Sequence, residues 1–174
     1  LKLSVLMKKL VSLLLCLCSL GFTACDDEDE QMEYASIYFP LATRAGSNGL
    51  FTASFDFSRD TTFIIGAYCA GSILPPEDIV VGIEVAADSL TSAAQTDAQL
   101  AGMTLLPADT SEVSPASMQA VIRKGTERGD LTFTFHTQTL DPGTQYVLPL
   151  KIVSTSHYVI APKYQCVFFG IKKK

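Results

Sequence analysis

The stretch "DLTFTFHTQTLDPGTQYVLPLKI", residues 130–152, decides the fold class. In its first part Leu131, Phe133 and Phe135 alternate with Thr132, Thr134 and His136. In its last part Tyr146, Leu148, Leu150 and Ile152 fall on one face. A period of two is what a half-buried β-strand requires, because successive side chains point to opposite faces of a sheet. Pro142-Gly143 between the two halves supplies the fixed φ and the conformational freedom that a chain reversal needs.

The same period extends outward in both directions. "LFTASFDF" (50–57) places Phe51, Ala53, Phe55 and Phe57 together, and "DIVVGIEV" (78–85) does so with Ile79, Val81, Ile83 and Val85. Further strands are predicted in "ASIYF", "TFIIGAYCA", "MQAVIR" and "KYQCVFFGIK", with turn clusters such as "GSNG", "LPPED" and "RKGTERGD" between them. "DSLTSAAQTDAQLAG" differs: it is rich in Ala and Gln, with Asp88 as a possible cap and Gly102 at its close, and it predicts a short helix or an irregular crossover. Many short strands with Gly, Pro and Asp between them predict an all-β, antiparallel Greek-key sandwich over residues 34–174. "LDPGTQY" resembles the tyrosine corner of Ig-like sandwiches. The resemblance implies that Leu140, Pro142 and Gly143 turn the chain over the end of the sandwich and that the Tyr146 hydroxyl bonds back to the turn.

The N-terminal region carries a different message. Lys8-Lys9 precede the apolar run Leu10 to Phe22, and small residues follow, the layout of a secretory signal. Phe22-Thr23-Ala24-Cys25 resembles the cleavage box of bacterial lipoproteins, with Phe22 where Leu is usual. That resemblance implies a signal peptide over 1–24 and a lipid-modified Cys25, with translation starting at Leu1 or Met7. Asp26, Asp27, Glu28, Asp29 and Glu30 then form a tether (25–33) that like-charge repulsion keeps solvated. They also resemble the acidic export signal of Bacteroidetes lipoproteins, which implies a lipid anchor in the outer membrane with the domain facing the cell exterior.

Charge and composition exclude several classes. Loss of Lys2, Lys8 and Lys9 with the leader takes the net charge from −5 to −8; six of the negatives lie in residues 26–30 and Glu33, leaving the domain near −2. Only Lys172-Lys173-Lys174 is basic as a run, so no nucleic-acid partner is expected. Cys69 and Cys166 are the cysteines left to the domain; a bond between them would close a loop of about 100 residues, and two unpaired thiols packing as small hydrophobes is the preferred reading. Neither has the neighbours of a zinc site, and no Asp-rich calcium loop occurs. His136 and His157 lack the companions of a nucleophile elbow or a metalloprotease pair, and Glu77-Asp78 beside Pro75-Pro76 reads as a solvated turn. No catalytic residue and no cofactor is predicted.

Four pieces resemble a Bacteroidetes family of Ig-like domains of unknown function, often N-terminal to a glycan-binding or glycosidase-like domain in surface lipoproteins. They are "VVGIEVAADSL" (80–90), "LLP" (105–107), "VIRKG" (121–125) and "YVLPLKIVS" (146–154). The resemblance spans roughly Tyr38 to Ile171. It departs after Leu106-Pro107, where the family commonly has Tyr and this chain reads "ADTSEV", and no partner domain is expected beyond Lys174. It implies an accessory binding or scaffolding role in glycan capture, beside other glycan-uptake proteins. The alternative is a fimbrial or adhesin-type subunit that polymerises by strand donation, with Arg44 near its first strand as a processing point. For sugar contact the chain has no Trp; Tyr34, Tyr38, Tyr68, Tyr158 and Tyr164 are the available platforms, though strand tyrosines more commonly pack.

Overall fold

The computed structural model describes residues 35–174. Cys25 and the acidic residues 26–30 lie outside them, as does Tyr34. Eleven strands form two sheets: β1 (Ser36–Tyr38), β2 (Leu50–Phe55), β3 (Thr61–Ala70), β4 (Ile79–Val85), β5 (Thr104–Leu105), β6 (Ser111–Ser114), β7 (Gln119–Ile122), β8 (Arg128–Phe135), β9 (Tyr146–Thr155), β10 (Val159–Ile160) and β11 (Cys166–Lys173). One sheet runs β10-β1-β3-β8-β6; the other runs β2-β11-β9-β4-β7, with β5 beside β9.

The expected sandwich is present, but its sheets are mixed rather than purely antiparallel. β10 pairs with β1, β2 with β11 and β5 with β9 in parallel. Alternation along one strand is blind to the direction of its neighbour, so these pairings leave no local trace. Among the described residues no two consecutive strands pair. Except between β4 and β5, every connection carries the chain from one sheet to the other. Each turn therefore forms part of the sandwich rim rather than a hairpin tip.

Between the sheets the alternating residues meet as predicted. Ile37, Ile65, Leu131, Phe135, Leu150, Ile152, Phe169 and Ile171 are all at or near zero exposure. An aromatic cluster fills one end: the Phe169 ring stacks on Phe135 (centroids 5.6 Å, 9° between planes) and meets Phe63 at 4.8 Å. Thr137, fully buried, donates its hydroxyl to the Arg59 carbonyl at 2.6 Å, which ties the β2–β3 turn to the end of β8. No buried side-chain nitrogen or oxygen among the described residues lacks a partner.

The segment read as helix or crossover forms two short helices, α2 (Ala87–Ala94) and α3 (Ala98–Ala101); the earlier α1 (Pro40–Arg44) follows β1. Asp88 is not the cap. It sits in the first turn of α2, one residue inside the start, where a negative charge still favours the helix end. The capping carboxylate is Asp97, whose Oδ1 accepts from the Gln99 and Leu100 amides at 2.9 Å each. Leu90 and Leu100 pack with Leu50, Val147 and Phe168 on the outer face of the second sheet. This third layer explains why β9 is buried on both faces, against the alternation expected of it.

At the β8–β9 turn the Tyr146 hydroxyl accepts a hydrogen bond from the Asp141 amide at 3.1 Å. Asp141 in turn accepts from the Gly143 amide and the Thr144 hydroxyl, which holds its carboxyl below the usual carboxylate range. Tyr146→Phe orphans the part-buried Asp141 amide and is expected to cost about 1 kcal/mol, read as a lower urea midpoint with unchanged slope.

Candidate functional site

β1 is three residues long and pairs with only the last part of β3, so that Tyr38 lies opposite Tyr68. Both side chains point out of the sandwich, since their strand neighbours Ile37, Ala67 and Cys69 point in. Their rings meet edge to face at 5.5 Å. Tyr164, in the turn Pro162–Tyr164 after β10, brings its ring to 6.2 Å from Tyr38 on the other side. Its carbonyl accepts from the Phe39 amide at 3.0 Å, which fixes the turn against the start of α1. Three tyrosines separated by 30 and 96 residues thus form one row on the outer face of the first sheet.

Charged groups extend the row at both ends. The Tyr68 hydroxyl donates to Glu127, a bond that pushes its pKa up to about 12. Opposite Tyr68 in the ladder stands Arg128, whose Nε donates to Asp130. Gly66 makes room for that pair: a Cβ there would lie 2.6 Å from Asp130 Oδ1 and 2.5 Å from the Gly129 carbonyl oxygen. At the other end Lys163 Nζ sits 5.2 Å from the centre of the Tyr164 ring. Beyond it opens a cleft of about 250 Å³ between α1 and β11, lined by Thr43, Ser47, Lys163, Tyr164 and Cys166. A wider depression of about 580 Å³ near the Pro142-Gly143 turn has no aromatic or charged lining.

The histidines are tied to acids. His136 Nδ1 is 2.8 Å from Asp60 Oδ2, and Nε2 is 3.7 Å from Glu112 Oε1. The bond to Asp60, then the Asp60 and Glu112 charges, raise the His136 pKa above its usual 6.5. This contribution to stability is fully present below about pH 6.5 and fades as pH rises through the raised folded value. His136→Gln is therefore expected to flatten the fall in urea midpoint between pH 6 and pH 9.

His157 joins Ser156 (Nδ1 to Oγ, 3.0 Å) and Glu77 (Nε2 to Oε1, 3.1 Å), residues that no sequence motif connected. Ser156 Oγ already accepts from the Val80 amide, and both His157 and Glu77 are solvated. Glu77 and Asp78 do not act as a pair: Asp78 takes Arg123 and the Lys124 amide, both at 2.7 Å. Cys69 and Cys166 are unpaired, and burial raises both thiol pKa values. Among the described residues no group of three His, Cys, Asp or Glu side chains converges for a metal, and no helix is long and apolar enough to cross a membrane.

The features together define a two-sheet β-sandwich module with its concentrated chemistry on an outer sheet face. Its family is shown by sequence: the chain belongs to a family of N-terminal domains ("-like, N-terminal domain"), whose model matches residues 31–159. No curated protein gives a sequence match. Solved structures share the fold. A Bacteroides ovatus ATCC 8483 protein provisionally described as carbohydrate binding is similar at TM-score 0.60 and 18% identity, over 79% of this chain and 37% of that one. A Bacteroides ovatus protein of unknown function gives 0.61 and 24%, over 80% and 46%. An auxiliary nutrient binding protein from Bacteroides thetaiotaomicron VPI-5482 gives 0.58 and 18%, over 72% and 44%. The chain thus spans less than half the length of each.

Of the five tyrosines available by sequence, the fold gathers Tyr38, Tyr68 and Tyr164. Tyr158 is part-buried against the core at positive φ (66°), its ring 6.5 Å from that of His157. Arg128, Asp130 and Gly66 were not singled out by sequence. The one local signal for Arg128 and Asp130 was the Arg128-Gly129-Asp130 triplet at the start of a predicted strand, which reads equally as a turn.

Proposed function

We propose that this chain is a non-catalytic binding module that captures glycans at the cell surface, with the Tyr38–Tyr68–Tyr164 row as its contact face. The row carries the reading. Sugar rings present apolar C–H faces that stack on aromatic rings, while flanking charges and hydroxyls bond their edges. Support also comes from two structural neighbours described by carbohydrate and nutrient binding. Tethering through lipid on Cys25, with the acids 26–30 as export label, would hold the module at the outer surface of the outer membrane.

Tyr38→Ala, at the centre of the row, is expected to weaken glycan retention in affinity gels about fivefold, since each aromatic contact carries on the order of 1 kcal/mol. Unchanged migration of wild type in every glycan gel would remove the proposal. Location is tested separately with a membrane-impermeant biotin reagent: intact cells should label the protein, and labelling only after lysis would exclude the surface. On unboiled gels a monomer band is expected. A ladder of oligomers would favour the strand-donating alternative.

A further inference from the structure

We infer that the glycan taken by this surface is acidic, its carboxylate or sulfate group held in a groove beside the tyrosine row by Arg44 and Arg128. The inference rests on the binding role proposed above and adds the substrate class. β1 ends at Tyr38, opposite Tyr68, and α1 lies along the groove where β3 continues past it. Between α1 and that stretch runs a groove of about 160 Å³, with Gly66 and Ile64 along one side, Leu41 on the other and the two arginines within its lining.

Arg44 closes α1 and is exposed. Among the described residues it has no acidic partner. Arg128 gives only its Nε to Asp130, which leaves both terminal amino groups to donate. A guanidinium fork of this kind matches a planar carboxylate or a sulfate face in two parallel bonds. The groove lining holds these two arginines and no acid; Asp130 offsets one of the two cations, and Glu127, an anion that accepts from the Tyr68 hydroxyl, is outside the lining. Gly66 is the pivot: its missing side chain lets the Arg128–Asp130 pair lie across the strand and leaves the groove floor open. A sugar stacked on Tyr68 would have its neighbour's acidic group within reach of the ladder partner Arg128.

The test is a glycan array of matched pairs, uronate oligosaccharides against their methyl esters and sulfated oligosaccharides against desulfated ones, probed with the full chain. Acidic members are expected to bind about tenfold or more tightly than their neutral mates, and the preference should shrink as salt rises. Arg44→Gln should abolish the preference while leaving neutral binding in place, and Arg44→Lys should restore part of it. Which pair shows the effect separates carboxylate from sulfate. Equal binding within every pair, or an unaltered preference in Arg44→Gln, overturns the inference and leaves the binding role standing. Binding to no member overturns both.

Discussion

Phe169→Ala is expected to leave the domain at or near the edge of unfolding at room temperature. Phe169 is fully buried on β11, the strand that β2 and β9 flank. Its ring contacts Phe51, Phe63 and Phe135 at centroid distances of 5.9, 4.8 and 5.6 Å, so that it joins the flanking strand β2 to β3 and β8 of the other sheet. Removing it deletes transfer energy and leaves a cavity whose walls are other rigid rings, which relax poorly. The cost is about 3–5 kcal/mol, a large part of the total stability of about 5–15 kcal/mol usual for a domain. Urea denaturation followed by tyrosine fluorescence reads this directly. Phe169→Leu keeps most of the volume and should lose less than half as much. An equal loss from both would mean that ring stacking, not volume, holds this end of the core.

The second large effect is predicted where there is no side chain. Gly129 on β8 packs so closely on β7 of the other sheet that a Cβ would lie 2.6 Å from the Val121 carbonyl carbon and 2.8 Å from the Ile122 amide nitrogen. Both are backbone atoms, and neither can rotate away. Gly129→Val must push β8 off β7, at a cost of about 3 kcal/mol by the scale of overpacked cores. Because β8 also carries Arg128 and Asp130, the displacement should weaken the proposed glycan binding in protein that still folds. Gly102→Ala is the control. It ends α3 at φ −83° with nothing nearer than 3.6 Å, so stability should change by no more than about 0.5 kcal/mol.

The inward faces of the long strands were legible because burial on one face leaves a two-residue period. Phe133, Phe135, Leu148 and Leu150 were placed correctly by that alone. Val147 shows where this reasoning stops. It lies on the nominal polar face of β9, yet helices 40 to 60 residues earlier cover it, and nothing within β9 records them. Short strands were missed for a related reason. β5, β6 and β10 run only two to four residues, too few for a period to repeat. The register of β2 on β11 joins residues 50–55 to 168–173, a long-range choice that local propensity does not encode.

The candidate site was legible as a set of residue types and not as a place. Tyr38, Tyr68 and Tyr164 each read as an ordinary strand or turn tyrosine, and only the pairing of β1 with β3 and β10 makes them neighbours. Arg44 read only as the processing point of the strand-donating alternative. The fold makes it the last residue of α1 and puts it on the same groove as Arg128. Glu77 and Asp78 went the other way. They are adjacent in sequence and are divided between His157 and Arg123 in space.

The proposed glycan contact runs along the outer face of the first sheet. Amide chemical-shift mapping by NMR, on the full chain titrated with the best-binding oligosaccharide of the array, tests it most directly. Shifts are expected at Tyr38, Arg44, Gly66, Tyr68, Arg128 and Tyr164, with β4 and β9 silent. Shifts clustered instead on α2, α3 or the Pro142-Gly143 turn would contradict it.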